Sequence, residues 1–308
     1  MTFKSIITTM LIVISITDQA QINTAPDSLT KAYLKKFRLD FVKAVTTNKP
    51  EIINDYCGDD IRLMTETQKT MIGKSNALLY YKSLLQRFAV TQSTRQEFEI
   101  LDLGMRVIES GLFTEKLKLK STGKEYELNG KYLNIWEQKP DGTLLLITEA
   151  WNYNHRVEIA DQLIFPEVPT VNVAMQSHLP VKDNITFELA ALNALQEKVI
   201  TEHDAKLWSQ FYADDYILFR VGNSLYKGRK EIDSFLEAHV KELPVFEKLD
   251  IRNDRVDNLG EYVIEYASHI AIVRNGDWSG VATGKDIRIW RREKNGTLKI
   301  IRGIGAYD

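Results

Sequence analysis

The chain of 308 residues is 44% hydrophobic and 27% charged, with a formal net charge of −2 at pH 7. A chain of this length and composition can fold as two domains that each bury a core of their own. This small net charge argues against nucleic acid or an anionic membrane as a partner, because both bind to strongly basic surfaces.

The N-terminus has the pattern of an export signal. Lys4 precedes an apolar run from Ile6 to Ile16, and Ala20-Gln21 follows as a cleavage site after a small residue. A run of about 11 residues is too short to span a bilayer. We therefore expect residues 1–20 to be a signal peptide. The protein should be exported, to the periplasm or outside the cell, and should have no membrane association after the signal is removed.

After the signal, one order of predicted elements occurs twice. A first helix is predicted from apolar residues at helical spacing, namely Leu34, Phe37, Phe41, Ala44 and Val45, and in the second copy Leu189, Leu192, Leu195 and Val199. A short helix follows at 52–56 and 207–212, a strand at 61–64 and 216–219, and a third helix at 75–88 and 230–240. Three or four long strands then close each copy. The last two strands are joined at Asp141-Gly142 or Asn295-Gly296, both strong hairpin signals.

The two copies are recognisably the same segment. Residues 130–153 and 284–307 are identical at nine of 24 positions, at a spacing of 154 residues. A repeat of this period is a whole domain in length. The copies differ where Glu149-Ala150-Trp151 is matched by Gly303-Ile304-Gly305. That difference suggests that one copy keeps a ligand site while the other is structural, and it does not indicate which copy does so.

The order of elements also predicts the architecture. Helices that precede a run of strands indicate an α+β fold, with a curved antiparallel sheet and about three helices on its concave side. We place the first domain at residues 27–156 and the second at 182–308. Residues 157–181 contain Pro166, Pro169 and Pro180 and are predicted to be an extended linker, packed along the first domain.

Several landmarks of the second copy resemble a known superfamily. They are Phe211-Tyr212-Ala213-Asp214-Asp215, the segment YKGRKEI at 226–232, and the hairpin with Trp290 and Asn295-Gly296. In this order they are similar to the SnoaL-like superfamily, whose fold is shared by nuclear transport factor 2-like proteins and ketosteroid isomerases. The resemblance implies two cone-shaped domains. It implies no single activity, because this fold carries isomerases, cyclases, dehydratases and binding modules.

The resemblance also implies an arrangement of the two copies. Single-domain members commonly pair through the outer face of the sheet. A tandem chain can make this pairing within itself, at a high effective concentration. We therefore expect an intramolecular pseudo-dimer and a mainly monomeric chain.

The isomerase residues of this superfamily are not matched. Counting from the second Asp of the Tyr-Ala-Asp-Asp segment, the catalytic Asp would fall on Arg220 in the second copy and Thr65 in the first. The helix tyrosine that binds the oxyanion would fall near Gln196 and Phe41. None of these four side chains supplies the group that the mechanism requires, so isomerase chemistry is not expected.

Other residues are candidates for a site in either copy. In the second copy, Arg220, His269, Arg288 and Arg302 lie on predicted strands, where they could converge on an anionic ligand or partly face solvent. In the first copy, the closing strands carry Tyr132, Asn134, Glu149, Trp151 and Tyr153. Glu149 and His269 are the candidates for an acid or base, although a Glu or His on a strand is more often structural.

Metal, cofactor and thiol chemistry are not indicated. The five histidines are not spaced with Cys, Asp or Glu as metal ligands, and no nucleotide-binding or serine-hydrolase motif occurs, so no cofactor is expected. Cys57 is the only cysteine, which excludes an internal disulfide, and a buried apolar role is expected for it.

Three functions remain open. The first is binding of a small, partly apolar molecule, either neutral or anionic, in a cone-shaped cavity. The second is a cofactor-free isomerase, dehydratase or hydrolase of the same fold. The third is a protein-interaction module that uses the outer sheet faces. An enclosed apolar pocket with a buried ionisable group favours the enzyme, whereas a pocket filled by side chains, with a large exposed apolar sheet face, favours the interaction module.

Overall fold

A computed structural model describes residues 25–308. The predicted signal peptide lies outside the described residues. The described residues form two six-stranded sheets, each accompanied by three α-helices, which confirms the predicted α+β fold in two tandem copies.

The first half contains three helices and six strands. These are α1 (Ser28–Thr46), α2 (Glu51–Asn54), β1 (Cys57–Thr65), β2 (Met71–Ile72), α3 (Lys74–Arg87), β3 (Phe88–Asp102), β4 (Arg106–Leu119), β5 (Glu125–Gln138) and β6 (Leu144–Tyr153). The strand order in the sheet is β2-β1-β6-β5-β4-β3.

The second half repeats this order of elements. They are α4 (Asn184–Thr201), α5 (Ala205–Ser209), β7 (Tyr212–Phe219), β8 (Tyr226–Lys227), α6 (Gly228–His239), β9 (Val245–Asn258), β10 (Tyr262–Asn275), β11 (Trp278–Arg292) and β12 (Leu298–Tyr307). The strand order is β8-β7-β12-β11-β10-β9.

Neither sheet is purely antiparallel, which corrects the prediction. β1 pairs with β6 in parallel, and β7 pairs with β12 in parallel, while the remaining pairs are antiparallel. The sequence pattern identified the strands but not this pairing, since β1 and β6 are separated by α3 and three other long strands.

Local sequence signals account for the ends of the helices and the hairpin turns. Asp27 caps α1 by accepting a hydrogen bond from the Thr30 amide at 2.6 Å. Asp183 caps α4 through the Thr186 amide at 2.8 Å, in a reciprocal capping box. Gly142 in the β5–β6 turn and Gly296 in the β11–β12 turn have φ values of 83° and 85°, a backbone conformation that glycine adopts without strain.

Each sheet buries its concave face under its own helices. In the first half this core includes Phe37, Tyr81 and Trp136, and in the second half it includes Leu189, Leu236 and Trp290. Amphipathic helices and alternating strands predict such a core, because both present one apolar face.

The outer faces of the two sheets pack against each other. The buried apolar residues between them come from both halves: Met64, Leu103, Ile108, Leu133, Ile135, Ile147 and Ala150 from the first, and Ala213, Ile217, Phe219, Tyr262, Ile264, Tyr266, Ile287, Ile289, Ile301 and Ile304 from the second. This is the intramolecular pairing of domains that the tandem repeat predicted. The monomeric state of the chain stays a prediction.

Two buried lysines show that the contact between the halves is pseudo-symmetric. Lys131 and Lys285 occupy matching positions of the repeat and are almost completely buried. Lys131 Nζ donates to the Asn223 carbonyl oxygen of the second half at 2.9 Å, and Lys285 Nζ donates to the Gln68 carbonyl oxygen of the first half at 2.8 Å. Each half therefore donates a lysine hydrogen bond to a loop of the other half.

The segment between the halves is not uniformly extended. It contains 3₁₀ helices at Ala160–Leu163 and Val173–Met175. Its apolar side chains, including Leu163 and Phe165, are part of the core of the first half. Its later residues bond to the second half instead: Asn172 Nδ2 donates to Thr283 Oγ1 at 3.0 Å, and the Leu179 amide donates to the Asn253 carbonyl oxygen at 2.9 Å.

Candidate binding cavity

The second half contains an open cavity of about 270 Å³ under the concave face of its sheet. Most of the lining side chains are aliphatic or aromatic, and a few polar groups converge among them. The polar and ionisable side chains are Gln196, Tyr212, Tyr216, Arg220, His239, His269, Asp286, Arg288 and Tyr307. An apolar cavity with a few placed polar groups is the usual form of a small-molecule site.

The corresponding space in the first half measures only about 20 Å³. It is lined by large side chains that contact one another, among them Phe41, Tyr80, Trp151 and Tyr153. A space of this size holds one or two water molecules at most and excludes an organic ligand.

A buried ion pair fills the interior of the first half. Arg95 donates a hydrogen bond to Glu149 at 2.6 Å, and Tyr81 donates to the same carboxylate at 2.5 Å. The Arg95 guanidinium also lies 3.3 Å from the centre of the Phe41 ring. The charge of Glu149 is therefore fully engaged within the protein, and this carboxylate does not face a substrate.

The second half has smaller or shorter residues at the matching positions. On the two strands at the sheet edge, Arg95 of β3 lies opposite Phe113 of β4, and Ile251 of β9 lies opposite His269 of β10. Ile251 therefore stands where the first half has Arg95. On the last two strands, Glu149 lies opposite Asn134 in the first half, and Gly303 lies opposite Arg288 in the second. Gly303 therefore stands where the first half has Glu149. These replacements remove the ion pair that fills the first half, and the cavity opens in their place.

Two glycines in β12 leave room for polar groups of the cavity. A Cβ atom added at Gly303 would lie 2.6 Å from the Tyr216 hydroxyl oxygen, and one added at Gly305 would overlap with Asp286 Oδ1. Only glycine allows both polar groups to take these positions beside the strand.

A histidine and a carboxylate form a pair within the cavity. His269 Nδ1 lies 3.2 Å from Asp286 Oδ2, and Arg288 Nη2 lies 3.5 Å from the same oxygen. Burial alone would raise the pKa of Asp286. The hydrogen bond from His269 and the positive charges of Arg288 and Arg220 instead hold that pKa below its ordinary value. Asp286 is thus an ionised partner for the imidazole.

Arg288 is held by several acceptors of its own half. Its Nη1 donates to Gln196 Oε1 at 2.9 Å and to Asn193 Oδ1 at 3.1 Å, and it lies 3.6 Å from a carboxylate oxygen of Glu265. With Asp286 as a further neighbour, the charge of Arg288 is already balanced inside the protein. Its main effect is to orient the polar groups around it.

Arg220 differs from Arg288 in having no hydrogen-bond or ion-pair partner among residues 25–308. Its guanidinium carbon lies 5.7 Å from the centre of the Phe235 ring, at the wall of the cavity. Next to it, burial and the Arg220 charge lower the pKa of His239 to about 4. Arg220 is the cation that remains available to an anionic ligand.

Stacked rings line part of the cavity. Tyr212 and Tyr216 stack with their centroids 4.4 Å apart, and Phe235 and His239 stack at 5.1 Å. Burial raises the pKa of Tyr212 to about 12, so its hydroxyl is neutral near pH 7. A wall of this kind favours a flat ligand with an apolar face.

Three of the four residues predicted in the second half line this cavity: Arg220, His269 and Arg288. Arg302 does not. A bulge in β12 pairs Trp290 with Ile300 and Ile289 with Arg302, which places Arg302 on the outer face of the sheet. There it makes two hydrogen bonds of 2.6 Å to Glu99 of the first half. Strand alternation could not reveal this, because the bulge shifts the alternation by one residue.

The residues predicted in the first half lie together but around a filled interior. Tyr132 and Asn134 approach Glu109 at 3.5 and 3.4 Å, and both are fully buried, as is Glu149. Trp151 and Tyr153 are also buried, in the core of this half. Of these five residues, Trp151 and Tyr153 line the space of about 20 Å³, which is too small for an organic ligand.

Several cavity residues were missed from the sequence. Asp286 is two residues before Arg288 on the same strand, a spacing that places both on one face, and this signal was overlooked. Tyr212, Tyr216, Trp208 and the residues of α6 come from separate elements, and only their packing brings them to the cavity.

The metal-ligating side chains and the cysteine of residues 25–308 are arranged as follows. No group of three or more metal-ligating side chains occurs there. Cys57 is buried, and burial raises the pKa of its thiol to about 12. In the same residues, none of the helices combines the length and the apolar character needed to cross a membrane.

Among known proteins, the chain is similar to proteins of solved structure. No protein-family model matches the chain, and no curated protein matches it. A conserved protein from Planctomyces limnophilus is 17% identical, with a TM-score of 0.37 over 40% of this chain and 95% of that one. A ketosteroid isomerase-like protein from Erwinia carotovora atroseptica is 13% identical, with a TM-score of 0.37 over 40% of this chain and 94% of that one.

A further solved structure is a nuclear transport factor 2-like protein from Cytophaga hutchinsonii. It is 16% identical, with a TM-score of 0.34 over 40% of this chain and 97% of that one. The fold types named for these proteins are those that the sequence resembled. At such identities the similarity concerns the fold alone.

Proposed function

We propose that the second half binds a small, partly apolar organic anion in its cavity, and that the first half is a structural partner. The observation that carries this proposal is the difference in open volume, about 270 Å³ in the second half against about 20 Å³ in the first. The two halves share one fold, so the open volume is a feature of the second half rather than of the fold.

The charge and size of the ligand follow from the lining. Arg220 has no hydrogen-bond or ion-pair partner within residues 25–308, whereas Arg288 is balanced by Glu265 and Asp286. A carboxylate is the ordinary partner of a free guanidinium. The cavity has roughly twice the volume of an engineered apolar cavity that binds benzene, about 150 Å³, so it suits a ligand of one or two rings.

A thermal-shift screen of aromatic and aliphatic carboxylic acids, followed by calorimetry, tests this proposal. Binding at a hundredfold excess over the dissociation constant stabilises the chain by about 2.7 kcal/mol. Arg220→Met should weaken binding at least tenfold, and Gly305→Trp, which restores the residue of the first half, should abolish it. Arg274→Met changes an exposed arginine on β10 and is the matched control.

Two outcomes would contradict the proposal. One is the absence of any shift across the panel. The other is binding that survives both Arg220→Met and Gly305→Trp, because such binding would occur outside this cavity.

A second candidate function is proton transfer on the bound molecule. The His269–Asp286 pair favours it, since a carboxylate that accepts from Nδ1 leaves Nε2 free as a base. Compounds that bind would be assayed for product and for exchange of hydrogen with solvent. Asp286→Asn should then lower the rate by at least a hundredfold. Binding with no conversion of any ligand would leave the protein as a binder only.

The third hypothesis, an interaction module that uses the outer sheet faces, has little support. Those faces bury each other within the chain. We further propose that the protein is exported and monomeric, on the pattern of residues 1–20 and this internal pairing. N-terminal sequencing of the protein from its host and light scattering in solution test both points. A retained N-terminus would contradict export, and a mass of two chains would contradict the monomer.

A further inference from the structure

The cavity contains a buried amide donor without a partner. Gln196 is 2% exposed and lines the cavity. Its Nε2 makes no hydrogen bond to any of the residues 25–308. Buried donors in native proteins are nearly always hydrogen-bonded, because leaving one unsatisfied is costly.

The orientation of this amide is determined by its neighbour. Arg288 Nη1 lies 2.9 Å from the Gln196 oxygen Oε1. A guanidinium can only donate, so the Gln196 atom that faces it must be the carbonyl oxygen. The amide nitrogen is then the free atom.

The fold does not require an amide at this position. The matching residue of the first half is Phe41, which packs against the Arg95 guanidinium. A polar residue has thus replaced an aromatic one in the half that has the open cavity. Arg288 uses the oxygen of this amide, and the amide nitrogen is the part that has no partner within residues 25–308.

We propose that the ligand is an oxo-carboxylate, with a neutral carbonyl oxygen bound to Gln196 Nε2 and a carboxylate paired with Arg220. The inference rests on the proposed function and specifies its ligand. A neutral acceptor suits Gln196 because Glu265 and Asp286 already surround Arg288 with negative charge. A second anionic group there would be repelled.

Burial indicates how such a molecule lies. Gln196 is buried and Arg220 is half-buried, so the carbonyl occupies the enclosed end and the carboxylate the more exposed one. The stacked rings Tyr212–Tyr216 and Phe235–His239 contact the apolar body of the ligand. The compound class is therefore a keto acid with an aromatic or other flat apolar body.

Matched pairs of ligands that differ only in the carbonyl group test the inference. The probes are 4-benzoylbenzoate with 4-benzylbenzoate, and 4-oxo-4-phenylbutanoate with 4-phenylbutanoate, measured by calorimetry on the full chain without its signal. We expect the ketone of a pair to bind about tenfold more tightly, the contribution of one satisfied hydrogen bond.

Two variants assign this preference to the amide. Gln196→Glu keeps an oxygen towards Arg288 and removes the donor, and Gln196→Met removes both. In each variant the preference for the ketone should fall to about one. Arg220→Met is the control, since it should weaken both members of a pair and leave their ratio unchanged.

The possible failures are distinguishable. Equal binding of ketone and methylene compounds by the unaltered protein, or a preference that survives both Gln196 variants, overturns the inference and leaves the proposed function standing. If no member of either pair binds and the wider acid panel also fails, the proposed function falls with it. Binding of other acids together with failure of every keto acid overturns the inference alone.

Discussion

The two halves of this chain share a fold and differ in what their interiors contain. In the first half, Arg95 and Tyr81 both donate to Glu149, and the three side chains fill the space under the sheet. In the second half, the polar side chains on the same face border an open cavity. A few positions on β3, α3 and the last strand thus separate a packed core from one with an open cavity, while the sheet and its helices stay the same.

Other contacts are common to both halves and are therefore structural. The indole of Trp136 donates to Glu109 at 3.3 Å, and that of Trp290 donates to Glu265 at 2.8 Å. Both carboxylates are fully buried. Since this pair occurs in the filled half as well as in the open one, it supports the fold and does not mark the site.

The largest effect should come from breaking the ion pair of the first half. Arg95→Met leaves the Glu149 charge buried with only Tyr81 as a donor, and the free energy of unfolding should fall by about 3–5 kcal/mol. Urea unfolding followed by tryptophan fluorescence measures this change. A loss below about 1 kcal/mol would show that the pair does not hold the first half together.

A smaller effect is expected from an added methyl group in the second half. Gly305→Ala places a Cβ against Asp286 Oδ1, so the carboxylate must move away from His269. We expect a loss of about 1–3 kcal/mol in stability, together with weaker ligand binding. Gly58→Ala is the control, because its Cβ would make an ordinary contact of 3.4 Å with Ile147. Equal effects of the two substitutions would argue against a tight fit at Gly305.

The second half should also be the more sensitive to mild acid. Burial and Arg220 lower the pKa of His239 to about 4 from an ordinary value of 6.5. Between these two pH values the unfolded chain binds a proton that the folded chain does not, so this contribution to stability is lost as the pH falls from about 6.5 to 4. The matching residue of the first half is Leu84. His239→Leu should therefore reduce the loss of stability between these pH values by about 1–2 kcal/mol. Parallel pH profiles of stability for the two proteins would contradict this.

The smallest effect on stability should come from the free cation of the cavity. Arg220 has no hydrogen bond or ion pair within residues 25–308, so Arg220→Met should change the free energy of unfolding by no more than about 0.5 kcal/mol. The same variant should lose most of its affinity for anionic ligands. A stability loss as large as that of Arg95→Met would mean that Arg220 has a structural role, and that the contrast between the halves is wrong.

Much of the architecture could be predicted from the residues. The spacing of Leu34, Phe37 and Phe41 predicted α1, and Asp141-Gly142 and Asn295-Gly296 predicted the two closing hairpins. The repeat predicted two copies of one fold. These features depend on local periodicity and turn chemistry, which the sequence carries directly.

The site was predictable only in part. Strand alternation grouped Arg220, His269 and Arg288, and all three line one cavity, although Arg220 lies just after the end of β7. Arg302 lies on the opposite face because of the bulge in β12, and bulges leave no clear sequence signal. From the sequence, Gln196 is only a position that lacks the expected hydroxyl, and its free amide nitrogen becomes evident once the structure places Arg288 beside it.

The sequence by itself determined that the chain repeats one α+β domain and that the copies differ at Glu149-Ala150-Trp151 and Gly303-Ile304-Gly305. Only the tertiary structure decided that the copy with the glycines has the cavity, and that the outer faces of the sheets are buried against each other. The physical reason is that local pattern specifies elements, whereas open volume and the partners of a charge depend on side chains from distant strands and helices.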